Sequence, residues 1–313
     1  MIAPRCIVAS GLIAFCLVVT LTASAFGGVL DVGPAERLKL PSEAAARARA
    51  GDTVRIAPGN YTDCAIWRAN NLTIEATGGG ATLADKSCAG KGIFVINANN
   101  VTVRNITFAR AAVPDHNGAA IRSEGRDLTI EHCTFIDNEN GILGNPSSGS
   151  TVRIVDSEFR GNGKCEGLCA HGMYINPVDR LEVRHSRFID QHIGHHIKSR
   201  ARNTVLVNND IADGPDGNSS YLIDIPNGGN VLIAGNRLQK GRRSDNTATA
   251  VTIGEEGVSN TTRALIIRDN TFTSDLPTTT VFVRNGTTTP ATVSANRLQG
   301  RITPLVGPGS VSR

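Results

Sequence analysis

The sequence predicts an all-β protein: a single-stranded right-handed parallel β-helix, a solenoid, with an N-terminal capping helix. Three observations carry this. A short phrase returns nine times, reading LTIEATGG from Leu72, VTVRNITF from Val101, LTIEHCTF from Leu128, VRIVDSEF from Val152 and LEVRHSRF from Leu181. It continues as TVLVNNDI from Thr204, VLIAGNRL from Val231, LIIRDNTF from Leu265 and, shortened, TVSANRL from Thr292. Starts lie roughly 23 to 34 residues apart, the spacing of solenoid coils. Within each copy the first, third, sixth and eighth positions are apolar or small and the others polar. That is a strand with one buried face, bent after its fourth residue, where the alternation changes phase. The sixth column, finally, runs Ile106, Cys133, Ser157, Ser186, Asn209, Asn236, Asn270 and Asn296. Four asparagines in register can form a ladder in which each amide bonds the next. Right-handedness is expected from the general chirality of parallel crossovers and is not shown by the residues themselves.

The elements follow in order. Residues 1–25 read as a secretory signal peptide: Arg5, an apolar run from Ile7 to Leu21, then Ala23-Ser24-Ala25. The apolar core is short for a membrane span and nothing later approaches that length, so a secreted or periplasmic protein is expected. Residues 26–52 hold the capping helix and lead-in, with helix-forming sequence from Pro34 to Ala50 and a stop at Gly51. A cap is needed because an open β-helix end is a bare edge. The β-helix itself fills 53–303, and 304–313 form a C-terminal tail. The eighth column (Phe108, Phe135, Phe159, Phe188, Ile211, Leu238, Phe272, Leu298) reads as an interior stack. Of 7 cysteines, five follow the signal. Cys133 occupies the inward column and reads as core. Cys64 with Cys88 and Cys165 with Cys169 can close disulfides in an oxidising compartment.

A second strand recurs in each coil: GIFVI from Gly92, GAAIRSE from Gly118, GILGN from Gly141, GMYINP from Gly172, GHHIKSR from Gly194, SYLIDIP from Ser220, AVTIGEE from Ala250 and TVFVRN from Thr280. Aligned on a buried column of Val95, Ile121, Ile175, Ile197, Ile223, Ile253 and Val283, it places His195 inward as a core histidine. His196, Lys198 and Arg200 then face outward. The outward face carries Arg122 and Glu124, Tyr174 and Asn176, then His196, Lys198, Arg200 and Asp224, with Glu256 further down and His171 just before the Tyr174 strand. Most other coils carry Ala, Leu, Thr or Gly there. Such a cationic groove with a phenol, an imidazole and carboxylates can grip a uronate and move the proton at its C5. Arg200 or Lys198 would neutralise the sugar carboxylate, His171, His196 or Lys198 would be the base, and Tyr174 the acid. Asp224, Asn176, Arg122 and Glu124 would bind substrate. The bland reading is that polar outward strand faces and cross-coil ion pairs are ordinary in solenoids.

The phrase Gly51-Asp52-Thr53, followed by Pro58-Gly59-Asn60-Tyr61 after a short helix, resembles secreted right-handed β-helix proteins of the pectate-lyase-like superfamily. Asn176-Pro177-Val178-Asp179-Arg180, with Ser199-Arg200 one coil later, is similar to the paired phrases of mannuronan C5-epimerases, except that Val178 stands where that family has a histidine. Lys198-Ser199 resembles the lysine phrase of chondroitinase- and alginate-lyase-like enzymes, with Asp224 where their arginine is expected. The resemblance implies a polysaccharide lyase or epimerase acting on an acidic glycan. The alternative is a non-catalytic glycan-binding or scaffolding solenoid. No cofactor is implied; the acidic calcium cluster of pectate lyases is not evident in the sequence, although calcium is possible. The net charge of +4 suits an acidic polysaccharide partner and gives no reason to expect nucleic acid. A monomer is expected. A glycoside hydrolase needs two carboxylates about 5–9.5 Å apart, and the sequence gives Asp224 no evident partner.

Overall fold

A computed structural model describes residues 27–313; the expected signal peptide lies outside them. The chain winds through about 11 turns of a right-handed parallel β-helix. Three parallel sheets of 12, 10 and 10 strands form its walls. Sheet 1 takes the first half of each phrase and sheet 2 the second half, with neighbouring coils in register, as in Leu128↔Val152 and Phe135↔Phe159. Sheet 3 takes the second strand, as in Ile197↔Ile223.

The bend between sheets 1 and 2 falls at the fifth residue of the phrase. Asn105, His132, Asp156, His185, Asn208, Asp269 and Ala295 all sit there with φ between 49° and 59°. Asn, Asp and His tolerate this left-handed conformation better than most residues, which explains their recurrence. Behind the bend stands the ladder. Asn209 Nδ2 donates to Asn236 Oδ1 at 3.0 Å, Asn236 to Asn270 at 2.9 Å and Asn270 to Asn296 at 2.9 Å. Each amide also serves the backbone, Asn236 Nδ2 donating to the Leu206 carbonyl at 2.9 Å. Ser157 and Ser186 carry the same task upward, accepting the Cys133 and Ser157 amides. The free Cys133 is buried, which pushes its thiol up to about 12.

Phe108, Phe135, Phe159 and Phe188 stack inside at centroid spacings of 5.6, 4.4 and 4.4 Å. Each such buried ring contributes about 2–3 kcal/mol. Both expected disulfides are present. The N-terminal helix is shorter than its sequence suggests, Pro41–Ala45. Pro41 holds Leu40 extended (φ −128°, ψ 146°), so residues 34–40 cannot join it. The tail expected over 304–313 is instead mostly strand: Ile302–Val306 and Gly309–Ser312 extend sheets 3 and 1.

Candidate functional site

Sheet 3 positions the site through one outward column. Strand pairing aligns Val95, Arg122, Leu143, Tyr174, Lys198, Asp224 and Thr252. The inward column beside it is Phe94, Ile121, Ile142, Met173, Ile197, Ile223 and Val251. Val95 is therefore on the other face from the one expected, while Ile175 and Ile253 stand one inward step along.

At the centre, Lys198 Nζ is 3.2 Å from Asp224 Oδ2 and 2.6 Å from Glu256 Oε1. It also lies 5.5 Å from the centre of the Tyr174 ring. Arg200 Nε donates to Tyr174 Oη at 2.7 Å, and Arg200 Nη2 reaches Glu256 Oε2 at 2.5 Å. A further Arg200 nitrogen donates to Asn227 Oδ1. One carboxylate thus bridges both cations, leaving the phenol oxygen fixed by the guanidinium.

Burial pulls the Lys198 amine down, but Asp224 and Glu256 outweigh it and hold it above its ordinary range. Lys198 is consequently a fixed cation and a poor base. Burial pushes the Asp224 carboxyl up to about 6, with Lys198 opposing. Burial also pushes Glu256 upward, yet its bonds to Lys198 and Arg200 prevail and hold it below the usual carboxylate range. The two carboxyls meet at one ammonium, Asp224 Oδ2 at 3.2 Å and Glu256 Oε1 at 2.6 Å from Lys198 Nζ.

Alongside this column runs a ladder of rings. Asn140 Oδ1 accepts the His171 N–H at 2.9 Å, His171 Nδ1 accepts the His195 N–H at 3.0 Å, and His195 Nδ1 accepts the Tyr221 N–H at 3.1 Å. The imidazoles stack at 4.7 Å, and Tyr221 follows His195 at 5.1 Å. An Nδ1 that accepts a backbone N–H must carry its ring proton on Nε2. Both imidazoles are therefore neutral donors. Burial, aided by neighbouring positive charge, drives His171 well below its ordinary value and His195 down to about 3. The His195 Nε2 lies 3.5 Å from Asp224 Oδ2. His171 is 5.3 Å from the Tyr174 ring, and its Nε2 has no hydrogen-bond partner among the described residues.

Several expectations need correction. His196 does not face outward: it is buried, with Nε2 3.1 Å from Asp213 Oδ1. His195, expected in the core, faces the site. The reason is local. Regular strand begins only at Ile197, after a turn in which Ile193 (φ 48°) and Gly194 (φ 73°) are left-handed, so strand alternation cannot be extended back to residues 195 and 196. Asp213 also accepts from Ser219 Oγ at 2.5 Å and Gly241 N at 2.9 Å, and this buried network seats the segment leading to Tyr221. His171 loses the role of base because its Nδ1 is occupied. Arg122 does not join the cluster: Leu143 separates it from Tyr174, and its Nε donates to Asn145 Oδ1 at 3.2 Å. Glu124 pairs with Lys91 at 2.5 Å, away from Lys198. Asn176 donates to the Gly144 carbonyl at 2.9 Å.

Four residues that sequence reasoning did not place in the cluster complete it: Glu256, His195, Tyr221 and Asn227. Gly254-Glu255-Glu256-Gly257 signals a turn bearing two acids, but nothing in the sequence says that it folds back two strands. Among the described residues no group of three His, Cys, Asp or Glu side chains is placed to hold a metal ion. No helix of the described residues is long and apolar enough to cross a membrane.

Residues 59–169 match the family model described as right handed beta helix region. None of the curated proteins matches the sequence. Among solved structures, pectate lyase Pel9A is similar at 13% identity with a TM-score of 0.56, over 90% of this chain and 79% of that one. Pectin methylesterase from Aspergillus niger is similar at 11% identity and a TM-score of 0.44, over 91% and 92% of the two chains. The A-module of the Azotobacter vinelandii mannuronan C-5 epimerase AlgE4 is similar at 16% identity and a TM-score of 0.42, over 87% and 93%. At such identities the likeness is one of fold, and at that level the resemblance to right-handed β-helix proteins holds.

Proposed function

We propose that the protein is an exported enzyme acting on a uronate-containing polysaccharide along this groove, as a lyase or a C5-epimerase. The observation that carries the reading is the pair Lys198 and Arg200, which together hold one carboxylate beside a second carboxyl and a phenol. Export rests on the N-terminal apolar run and the two disulfides.

In this reading the sugar carboxylate binds Lys198 and Arg200, which withdraw charge and acidify the C5 proton. Asp224 takes that proton, because its carboxyl is poised near 6 and is ionised at neutral pH. The electron pair of the broken C5–H bond moves into the carboxylate group as an enediolate. Tyr174 then has two possible uses for its hydroxyl proton. Given to C5 from the opposite face, it completes epimerisation. Given to the departing O4 while C4=C5 forms, it completes β-elimination. General acid and base groups of this kind contribute about 10²–10⁴-fold each. His171 Nε2–H adds a donor for the developing negative charge.

The meeting of Asp224 and Glu256 at one ammonium supports a second reading, retaining glycoside hydrolysis, which needs a pair of neighbouring carboxyls. Against it, both groups are engaged by Lys198. One assay separates the readings: pectate, alginate and glycosaminoglycans are incubated with the protein, and products are examined for unsaturated uronates, inverted C5 centres or new reducing ends. Turnover should fall at least a hundredfold in Lys198→Ala and Arg200→Ala. Unchanged turnover in both variants removes the site assignment. New saturated reducing ends establish hydrolysis instead, and binding without any product leaves a non-catalytic glycan binder.

A further inference from the structure

Glu256 belongs to a strap that folds back over the site. Its backbone follows the strand Thr249–Ile253, yet its carboxylate reaches Lys198 two strands away, passing across the Asp224 strand. Both oxygens are used, one on Lys198 at 2.6 Å and one on Arg200 at 2.5 Å. Neighbouring Glu255 accepts from Tyr221 Oη at 2.8 Å and from Thr252 Oγ1 at 2.8 Å.

The strap is the outer layer. The Glu256 side chain is 44% exposed, against 11% for Lys198 and 4% for Asp224. Residues 255–259 are all exposed, and Val258 is only half covered, so apolar burial anchors the turn weakly. Neutral bonds hold it at Glu256 N to the Pro226 carbonyl (3.0 Å), Gly257 N to the Gly254 carbonyl (3.4 Å) and Asn227 Nδ2 to the Gly257 carbonyl (3.1 Å). Gly254 (φ 83°) and Gly257 (φ 94°) bracket it, giving both ends a conformation that other residues rarely adopt. The two charge-assisted bonds that close it over Lys198 and Arg200 can be exchanged for equivalent bonds to another carboxylate at little net cost.

We propose that Glu256 is a specificity-determining stand-in for the substrate carboxylate: a uronate displaces it from Lys198 and Arg200, and the strap then uncovers Asp224. The inference rests on the reading of the groove as a uronate site. It makes recognition an exchange of like for like. A neutral or esterified sugar has nothing to exchange, so the strap stays down over the base and the site remains closed to it.

The test is calorimetric titration of the full-length protein with uronate trimers of the galacturonate, mannuronate, guluronate and glucuronate series, each with its methyl ester as control. Glu256→Gln keeps the shape and removes the competing charge, so the Kd for the cognate trimer should fall about tenfold, while the ester binds neither form. Gly257→Ala provides an independent arm. A Cβ there meets open space, but the left-handed backbone is strained, so the closed strap is weakened without removing a charge. Its Kd should also fall severalfold. If trimer binding depends on Arg200 but is unchanged or weaker in both variants, the stand-in is refuted and the groove reading survives. If no trimer binds, or if binding ignores Arg200→Ala, the groove reading fails and takes the stand-in with it.

Discussion

Replacing Asp224 by asparagine should stabilise the protein and abolish its turnover. The carboxyl is 4% exposed and pushed from its ordinary 3.8 up to about 6, burial being the dominant cause. A raised carboxyl binds its proton more tightly folded than unfolded. Its contribution to stability is complete below the unfolded value and is lost as pH rises through the folded one. The loss runs from about pH 4 to pH 7 and amounts to about 3 kcal/mol, since each pKa unit is 1.36 kcal/mol. Asparagine mimics the protonated acid. Asp224→Asn should accordingly gain about 2–3 kcal/mol over the natural protein at pH 8 and almost nothing at pH 4. Guanidinium unfolding of both proteins at the two pH values measures that difference directly. An equal offset at pH 4 and pH 8 would show that the ionised carboxylate carries no cost, and the reasoning that makes Asp224 a poised base would collapse.

Asn236→Ala removes four ladder bonds from the interior, taking the acceptor from the Asn209 backbone N–H and a donor from the Leu206 carbonyl, while Asn209 Nδ2 keeps only the Val183 carbonyl. At about 1–3 kcal/mol for each unsatisfied group, with partial relaxation, a loss of about 3–5 kcal/mol is expected in denaturant unfolding. Asn203→Ala, in the half-exposed Asn203–Asn230 pair, should cost less than about 1 kcal/mol. His171→Asn replaces the Nδ1 acceptor by an amide oxygen, the acceptor that Asn140 supplies one coil earlier, so stability should change by less than about 1 kcal/mol while turnover falls about 10–100-fold through loss of the Nε2 donor. Arg200→Lys preserves charge but cannot bond Tyr174, Asn227 and Glu256 together; a kcat loss of about 10–100-fold with a smaller change in KM is expected from steady-state kinetics.

Fold and site were legible in the sequence to different depths, for a physical reason. The phrase repeats because every coil solves the same problem of burying one face and turning at one bend, so Phe135, Phe159, Asn209 and Asn236 announced their places. Period-2 alternation carried over to Tyr174, Lys198 and Asp224, which lie within regular paired strand. It failed at His195 and His196, where a left-handed turn resets the phase before the strand begins. Glu256 was read only as lying further down the outward face, and its reach to Lys198 and Arg200 was hidden for another reason. A strap that skips a coil has no counterpart in a repeat whose other members contact their immediate neighbours. Arg122 and Glu124 share the outward face of sheet 3, but Leu143 and Lys91 determine what they touch.

The most direct test of the account is the fate of the C5 proton. Uronate oligomers incubated with the protein in D2O should lose the C5–H signal in proton NMR, either by deuterium uptake or by formation of the C4=C5 double bond, and Asp224→Asn should leave that signal intact. Retention of the C5 proton in every uronate series, with the natural protein folded and the oligomer bound, would contradict the account.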